Sequence, residues 1–268
     1  MKPTLRIGAL ISGGGTNLQA IIDACENNRI NGKVVFVGAD TAAAKGLARA
    51  ARHKIPAFVV PYSDIIQSYR KAPDAFPLPD DANLTDLYAR QRLFPPNTPM
   101  DRLRSFFCTR AAAESRLLAE MAAYGPVDLL VLAGFMRNFT PYFIDRFSPD
   151  PAHPRIMNIH PAILPAFPGV DGYGDTFRYG CKVGGCTVHF VDEGEDSGPI
   201  IGQRTFPILE TDTLEDVKQK GLQAEWQLYP ECIQLFAENR LAVVKMTHAL
   251  ENGSIQQRRV VKISSGLV

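Results

Sequence analysis

The strongest constraint on this chain lies in its first sixty residues, where aliphatic runs and helix-spaced segments alternate and glycine marks the joins. Leu5 to Ile11 is a β-branched and aliphatic run bounded by the turn Ser12-Gly13-Gly14-Gly15. From Thr16 to Cys25, Leu18, Ile21, Ile22 and Cys25 fall at helical spacing, which predicts a helix capped by Thr16 or Asn17. Lys33 to Ala39 lacks polar alternation, as expected of a strand buried on both faces. Ala42 to His53 reads as a helix and Ala57 to Val60 as a third strand. Strand, helix, strand, helix, strand is the pattern of a parallel sheet with right-handed crossovers. The fold class expected is therefore α/β, with a Rossmann-like, mostly parallel sheet flanked by helices.

Regularity then stops. From Pro61 to Phe107 the chain holds Pro73, Pro77, Pro79, Pro95, Pro96 and Pro99 among charged residues, too long for an ordinary α/β connection. It reads as an inserted excursion, 61–107, with one short helix around Leu84 to Arg92. A helix from Thr109 to Ala123, the buried strand Asp128 to Ala133, a short helix near Pro141 to Phe147 and the strand Arg155 to Asn158 follow. Val183 to Val191 and Ile200 to Ile208 are strand-like runs around the acidic turn Asp192 to Pro199, which predicts an antiparallel extension of the sheet toward the C-terminus. Thr213 to Glu238 is a long amphipathic helix with Leu214, Val217, Leu222, Trp226 and Tyr229 facing inward, and Thr213 with Asp216 as its capping box. Arg240 to Met246 forms a last strand. The expected organisation is one α/β domain over 1–246 and a tail over 247–268.

Composition narrows the function classes. The 268 residues carry 29 Lys+Arg against 28 Asp+Glu, so no global charge draws the chain to nucleic acid or an anionic membrane. No apolar run approaches the length of a membrane-spanning helix, and the N-terminal run leads into a glycine turn rather than a signal-peptide cleavage site. The five cysteines are scattered without a C-x-x-C pair, which points to reduced thiols in a cytoplasm and to no structural zinc.

Two places carry chemistry. A strand ending in Ser12-Gly13-Gly14-Gly15-Thr16-Asn17 and opening a helix suits an anion, because backbone amides and the helix dipole face outward there. The competing explanation is a tight β–α turn with no ligand. G-x-x-x-x-G-K-[ST] is absent, which excludes a P-loop. Gly13 and Gly15 begin a dinucleotide fingerprint with Asp40 after the second strand, yet Leu18 stands where its third glycine belongs, so a phosphate monoester fits better. The second place is Asn158-Ile159-His160-Pro161, just beyond a buried strand. Alternation sends Asn158 and His160 the same way, an amide to steady an oxyanion beside an imidazole to move a proton. Asp196 and His189 join this group only if the fold brings them close. By themselves these residues support a phosphate-binding transferase or hydrolase.

Four segments, in order, resemble the folate-dependent formyltransferases, and among them the phosphoribosylglycinamide formyltransferase family of purine synthesis. They are Ile11 to Ile21 (ISGGGTNLQAI), Val131 to Arg137 (VLAGFMR), Asn158 to Pro161 (NIHP), and Val188 to Val191 with Asp196 to Ile200. The resemblance covers most of 5–60 and 109–245. It implies that Asn158, His160 and Asp196 are catalytic. It further implies that Gly15, Thr16 and Asn17, with Arg110, take the substrate phosphate, and that Glu225 takes the ribose hydroxyls. Met136, Arg137 and Phe139, with His189 beside them, line the folate pocket. The implied reaction is attack by the primary amine of 5'-phosphoribosylglycinamide on the formyl carbon of 10-formyltetrahydrofolate. Asn158 and protonated His160 would stabilise the oxyanion, with Asp196 holding His160 charged. The implied partners are these small molecules, with no metal, nucleic acid or membrane, in a cytoplasmic monomer or homodimer.

Two departures from the family pattern stand out. The 61–107 insert is absent from compact members. In Pro168-Gly169-Val170-Asp171-Gly172-Tyr173-Gly174, Asp171 and glycines replace the His-containing segment the family usually carries beside the reaction centre. The nearest alternative is formyltetrahydrofolate deformylase, which usually carries an N-terminal regulatory domain and a second His after the catalytic one, where Pro161 stands here. Methionyl-tRNA formyltransferase needs a C-terminal RNA-binding domain. A formyltransferase for another amine, such as an amino sugar nucleotide, a folate- and phosphate-binding module without turnover, and an NAD(H)-dependent reductase complete the alternatives.

Overall fold

The computed structural model of the protein describes residues 3–265. Its elements in chain order are β1 (Leu5–Ile11), α1 (Thr16–Glu26), β2 (Gly32–Ala39), α2 (Leu47–Arg52), β3 (Ala57–Val59), α3 (Tyr62–Lys71), α4 (Leu84–Arg90) and α5 (Met100–Ala122). There follow β4 (Leu129–Leu132), α6 (Pro141–Phe147), β5 (Ile156–His160), α7 (Gly172–Arg178), β6 (Val183–Phe190), β7 (Ile200–Pro207), α8 (Leu214–Ala237), β8 (Leu241–Ala249) and β9 (Ile255–Ile263). Seven strands form one sheet in the order β3-β2-β1-β4-β5-β6-β7. Pairing is parallel from β3 to β5 and antiparallel from β5 to β7, as the sequence pattern predicts.

Period-2 alternation divides the core between the sheet's two faces. Ile7, Ala9, Ile11, Leu129 and Val131 point toward Leu18, Ile21 and Ile22 of α1 and Leu228, Tyr229 and Ile233 of α8. Leu10, Leu130 and Leu132 point the other way, toward Ala113 and Leu117 of α5 and Phe143 and Phe147 of α6. The strand order reverses between β1 and β4, and the chain leaves both strands at the same edge. There the Ser12 amide donates to the Gly134 carbonyl at 2.9 Å and the Met136 amide to Ser12 Oγ at 2.8 Å. Such a switch point opens the crevice in which open α/β sheets bind ligands.

Several expected boundaries are corrected. α1 is capped by neither Thr16 nor Asn17: its N-cap is Gly15, in the left-handed conformation, and no side chain bonds the first turn. The helix expected from Ala42 begins only at Leu47, after turns spanning Thr41–Gly46. The insert contains α3 as well as α4, and α5 begins at Met100, nine residues before the predicted Thr109. The proline before Met100 starts that helix rather than excluding one, since the first turn needs no N–H at its leading residue. On α8 the capping box of Thr213 and Asp216 is present. Val217 and Tyr229 are buried, whereas Leu214, Leu222 and Trp226 are only half-buried, because the inner stripe runs instead through Gly221, Ala224 and Leu228. The stretch expected as a tail carries β9, which pairs with β8 along nine residue pairs. The turn between them is Asn252-Gly253, with Gly253 at φ +79° and the Leu250 amide on the Ser254 carbonyl.

Candidate active site

The glycine turn forms the first part of the crevice. Gly15 has φ +68°, and a Cβ there would lie 2.8 Å from Gly46 Cα, so both the dihedral and the approach of the α2 segment require glycine. Nothing lies within 4 Å of where a Cβ would stand on Gly13 or Gly14. The leading amides of α1 have no intrahelical acceptor and open onto this space. Arg49 of α2 lies across the turn, its Nε donating to the Gly14 carbonyl at 2.9 Å. No local sequence signal singles out this cation, which reaches the turn only because Gly46 packs on Gly15.

Asn17 faces the protein interior. Its Nδ2 donates to Glu225 Oε2 at 2.6 Å, and Tyr173 Oη donates to Glu225 Oε1 at 2.7 Å. Glu225 is held there by its own helix: Tyr229, one turn later on the same face of α8, donates its hydroxyl to the Met157 carbonyl at 2.8 Å and the Leu132 carbonyl at 3.2 Å. Burial raises the Glu225 carboxyl above the ordinary range despite the bonds from Asn17 and Tyr173. Thus Asn17 and Glu225, 208 residues apart, form one group, and the unusual 168–174 segment contributes Tyr173 to it.

The second part lies at the end of β5. Antiparallel pairing sets Asn158 opposite His189 on β6, and Asn158 Nδ2 stands 3.3 Å from His189 Nε2. His189 Nδ1 stands 2.9 Å from the Phe190 carbonyl, which places a proton on Nδ1, and Nε2 faces the Asn158 amide and Asp196. Asp196 closes the group from the β6–β7 turn: Oδ2 lies 3.1 Å from His160 Nδ1, Oδ1 lies 3.6 Å from His189 Nε2, and Oδ2 accepts from the Gly169 amide at 2.9 Å. His160 Nε2 is 2.8 Å from the Phe167 carbonyl. Both ring nitrogens of His160 therefore face acceptors, the arrangement that suits an imidazolium. Burial pushes the Asp196 carboxyl up, but His189, the charge of His160 and the Gly169 amide outweigh it and hold it below the usual carboxylate range. Gly198 makes the turn possible, since a Cβ there would lie only 1.8 Å from the Phe190 carbonyl oxygen.

A pocket beside this cluster is lined by Leu132, Phe135, Phe139 and Val191 on its apolar side and by Arg137, Asn138, Asn158, His189, Asp192 and Asp196 on its polar side. Phe139 is fixed by stacking on Phe143, with centroids 3.9 Å apart. Arg137 bonds Oδ2 of the buried Asp40, the residue a dinucleotide ribose would need, at 2.5 Å. Arg110 and Arg137 both lie over the Tyr62 ring, at 5.2 and 5.4 Å, and Arg110 also covers Phe106 at 4.8 Å. Arg110 thus stands with Arg137, on the Tyr62 side of the crevice. The Met136 side chain is exposed, and its backbone amide makes the bond to Ser12. Among the described residues the ligand-type group Asp23, Glu26 and His53 gathers within 4.8 Å, with His53 already bonded to Glu26 at 2.7 Å, and none of the three lines the pocket. No helix among the described residues is long and apolar enough to cross a membrane.

An open α/β sheet with an uncovered glycine turn at its switch point, and with Asn158, His189 and Asp196 lining one pocket beside His160, is an arrangement found in group-transfer and hydrolytic enzymes. Within that class the chain belongs to the formyl transferase family, whose model matches residues 5–233. It is 35% identical over 236 residues to phosphoribosylglycinamide formyltransferase of Haemophilus influenzae, covering 88% of this chain and 89% of that one. Glycinamide ribonucleotide transformylase 1 from Symbiobacterium toebii is similar in structure, with a TM-score of 0.67, 38% identity, and coverage of 98% of this chain and 95% of that chain. The chain also matches the trifunctional purine biosynthetic protein adenosine-3 of Chironomus tentans at 32% identity, over 88% of its own length but only 14% of that protein's. A formyltetrahydrofolate deformylase from Pseudomonas syringae has a TM-score of 0.67 at 17% identity, a likeness of fold.

Proposed function

We propose that this protein transfers the formyl group of 10-formyltetrahydrofolate to the primary amine of 5'-phosphoribosylglycinamide, a step of purine synthesis. The observation that carries this reading is the convergence of Asn158 and Asp196 on one pocket, with the buried His160 3.1 Å from Asp196. The apolar wall of Leu132, Phe135, Phe139 and Val191 suits a flat heteroaromatic ring, and the polar groups opposite suit its hydrogen-bonding edge. The folate co-substrate supplies the formyl carbon. The open backbone at Gly13 and Gly14, the leading amides of α1 and the Arg49 charge suit a phosphate monoester, and Glu225 is an acceptor for ribose hydroxyls.

Asn158 has one amide hydrogen directed at His189 and a second free to donate to the oxyanion that develops when an amine adds to a formyl carbon. His160 shares that work from its Nε2, exchanging the Phe167 carbonyl for the substrate oxygen. Asp196 is the counter-charge at Nδ1, and the proton lost by the amine passes through this group to N10 of the folate as the formyl C–N10 bond breaks and tetrahydrofolate leaves. Arg110 and Arg137, two cations over one ring, serve an anionic group of a substrate, and His189 orients Asn158. The chemistry these residues perform needs no metal.

The test is a formyl-transfer assay with 10-formyltetrahydrofolate, with and without the glycinamide nucleotide, in which tetrahydrofolate and the formylated nucleotide are quantified separately. The expected result is tetrahydrofolate release that depends on the nucleotide, with equimolar formyl nucleotide. Release at the same rate without it would replace transfer by hydrolysis as the function.

A further inference from the structure

The 61–107 insert reaches one wall of the pocket. At the last turn of α4, Arg90 forms a fork on Asp145 of α6, at 2.6 and 2.8 Å, and its Nη2 also lies 3.3 Å from Glu193 Oε1. Two residues on, the Arg92 amide donates to the Glu193 carbonyl at 3.3 Å, and Arg92 bridges Gly194 as an isolated parallel strand pair. Glu193 and Gly194 belong to the 192–199 turn, which supplies Asp192, Gly194 and Asp196 to the pocket lining. The Gly194 amide and Ser197 Oγ both donate to Asp192 Oδ1, so the turn moves as a unit.

The outer side of that turn borders a cavity of about 170 Å³ between Arg90, Asp145, Glu193, Pro199 and Arg259. The insert, by contrast, is firm: Tyr88, Phe94, Phe106 and Phe107 meet edge to face at centroid distances of 4.8 to 6.3 Å around buried Leu87 and Leu103. It is tied to α6 through Asp81, which accepts from Tyr142 Oη at 2.9 Å and Arg146 at 2.7 Å. Arg90 pairs with Asp86, Asp145 and Glu193, so removing it leaves Asp145 and Glu193 on the cavity wall without that counter-charge, with Arg259 the cation that remains there. Half-exposed ion pairs of this kind add little to global stability. Their consequence is positional.

We propose that the insert is a clamp and Arg90 a positioning residue, fixing the 192–199 turn and through it the placement of Asp196 against His160 and of Asp192 in the pocket. The kinetic part of this inference rests on the formyl-transfer reading; the structural part does not. The test compares the full-length wild type with Arg90→Ala, Arg90→Lys, Glu193→Ala and the Arg90→Ala/Glu193→Ala pair. Arg104→Ala, which breaks the insert's separate pair with Asp74, is the control. Displacements of about 1 Å at a reacting group cost on the order of 10²-fold. Arg90→Ala and Glu193→Ala are therefore expected to lower kcat/KM for 10-formyltetrahydrofolate by about 10- to 100-fold, with KM for the nucleotide unchanged. The double variant is expected to be no worse than either single one. Arg90→Lys recovers only part of the loss because it lacks the fork. Amide hydrogen exchange over 192–198 is expected to quicken in Arg90→Ala and to stay at the wild-type rate in Arg104→Ala. Unchanged exchange and kinetics in Arg90→Ala, or equal effects in Arg104→Ala, overturn the clamp. A wild type without formyl transfer overturns the functional reading, while the exchange comparison still decides the clamp.

Discussion

The Asn158 and His160 side chains are separated by one residue on β5, and that alternation alone aims both at the crevice. Replacing either by alanine is expected to lower turnover by about 10² to 10⁴, the range for lost oxyanion donors and general acids, with binding of both substrates little changed. A variant turning over near the wild-type rate would remove that residue from the mechanism. The pairing of Asp196 with His160 is implied by the family resemblance but not by spacing, since an Asp in an acidic turn is ordinarily solvated. It depends on the register of β5 against β6 and on Asp196 adopting φ +50°. Glu114 escaped notice for another reason: on a helix of mixed composition nothing marks it as fully buried. Its oxygens take the Thr140 amide at 2.8 Å and Thr140 Oγ at 2.5 Å, holding the start of α6 directly after the Met136–Phe139 segment. Burial pushes its carboxyl up to about 8, outweighing the bonds from Thr140. A carboxyl whose folded pKa is raised makes the native state bind the extra proton, so stability falls as pH rises from the unfolded value near 4.5 to about 8. At roughly 1.4 kcal/mol per unit this is on the order of a few kcal/mol. Glu114→Gln, which keeps one acceptor and one donor for Thr140, is expected to flatten that dependence, so that the melting temperatures of variant and wild type diverge between pH 6 and pH 9. A gap that stays constant over that range would mean that Glu114 is ionised throughout.

The strand-turn-helix unit at the N-terminus was readable because glycine, apolar run and helical period all point to the same element, and its site follows from that geometry. Gly13 and Gly15 do different work in the turn, which separates packing from binding. Gly15→Ala places a side chain at positive φ and against Gly46, and is expected to cost about 1–3 kcal/mol of stability. Gly13→Ala meets nothing within 4 Å and is expected to leave the melting temperature unaltered, yet to raise KM for the nucleotide, because the space it fills is where the phosphate lies in this reading. An unchanged KM in Gly13→Ala would move the phosphate elsewhere. The insert was the least readable element. Its prolines suppress any periodic signal, yet Pro61 and Pro99 stand at helix N-caps, where proline is tolerated, and the aromatic cluster that makes α4 and α5 one unit forms between residues too widely spaced for a local pattern. The 168–174 segment departs from the family's usual residues and still takes part in the site, through Tyr173 on Glu225 and the Gly169 amide on Asp196.

At the scale of the whole molecule, the sheet order explains why residues from 12 to 225 meet at one crevice: the switch between β1 and β4 opens it, and the antiparallel β6 and β7 carry His189 and Asp196 back to it. The β8–β9 hairpin takes no part in that convergence. Leu241, Val243 and Val261 are only partly buried against the α1–α8 side of the core, and the family model ends at residue 233. The sequence predicts a strand over Arg240 to Met246, whereas the Gln-Gln-Arg-Arg run inside β9 masks its strand character, leaving Asn252-Gly253 as the one clear signal for the hairpin. Ending the chain after Asn239 removes the hairpin and exposes the core residues it covers. Burial of three aliphatic side chains in part is worth about 2–3 kcal/mol, and one kcal/mol corresponds to roughly 2–4 °C in a chain of this size. The shortened protein is therefore expected to melt about 5–10 °C lower, with KM values for both substrates and kcat at 25 °C within about twofold of the full chain. A loss of turnover larger than the loss of folded protein, measured on the same sample, would instead make the hairpin part of the site, acting through Arg259 on the cavity behind the 192–199 turn.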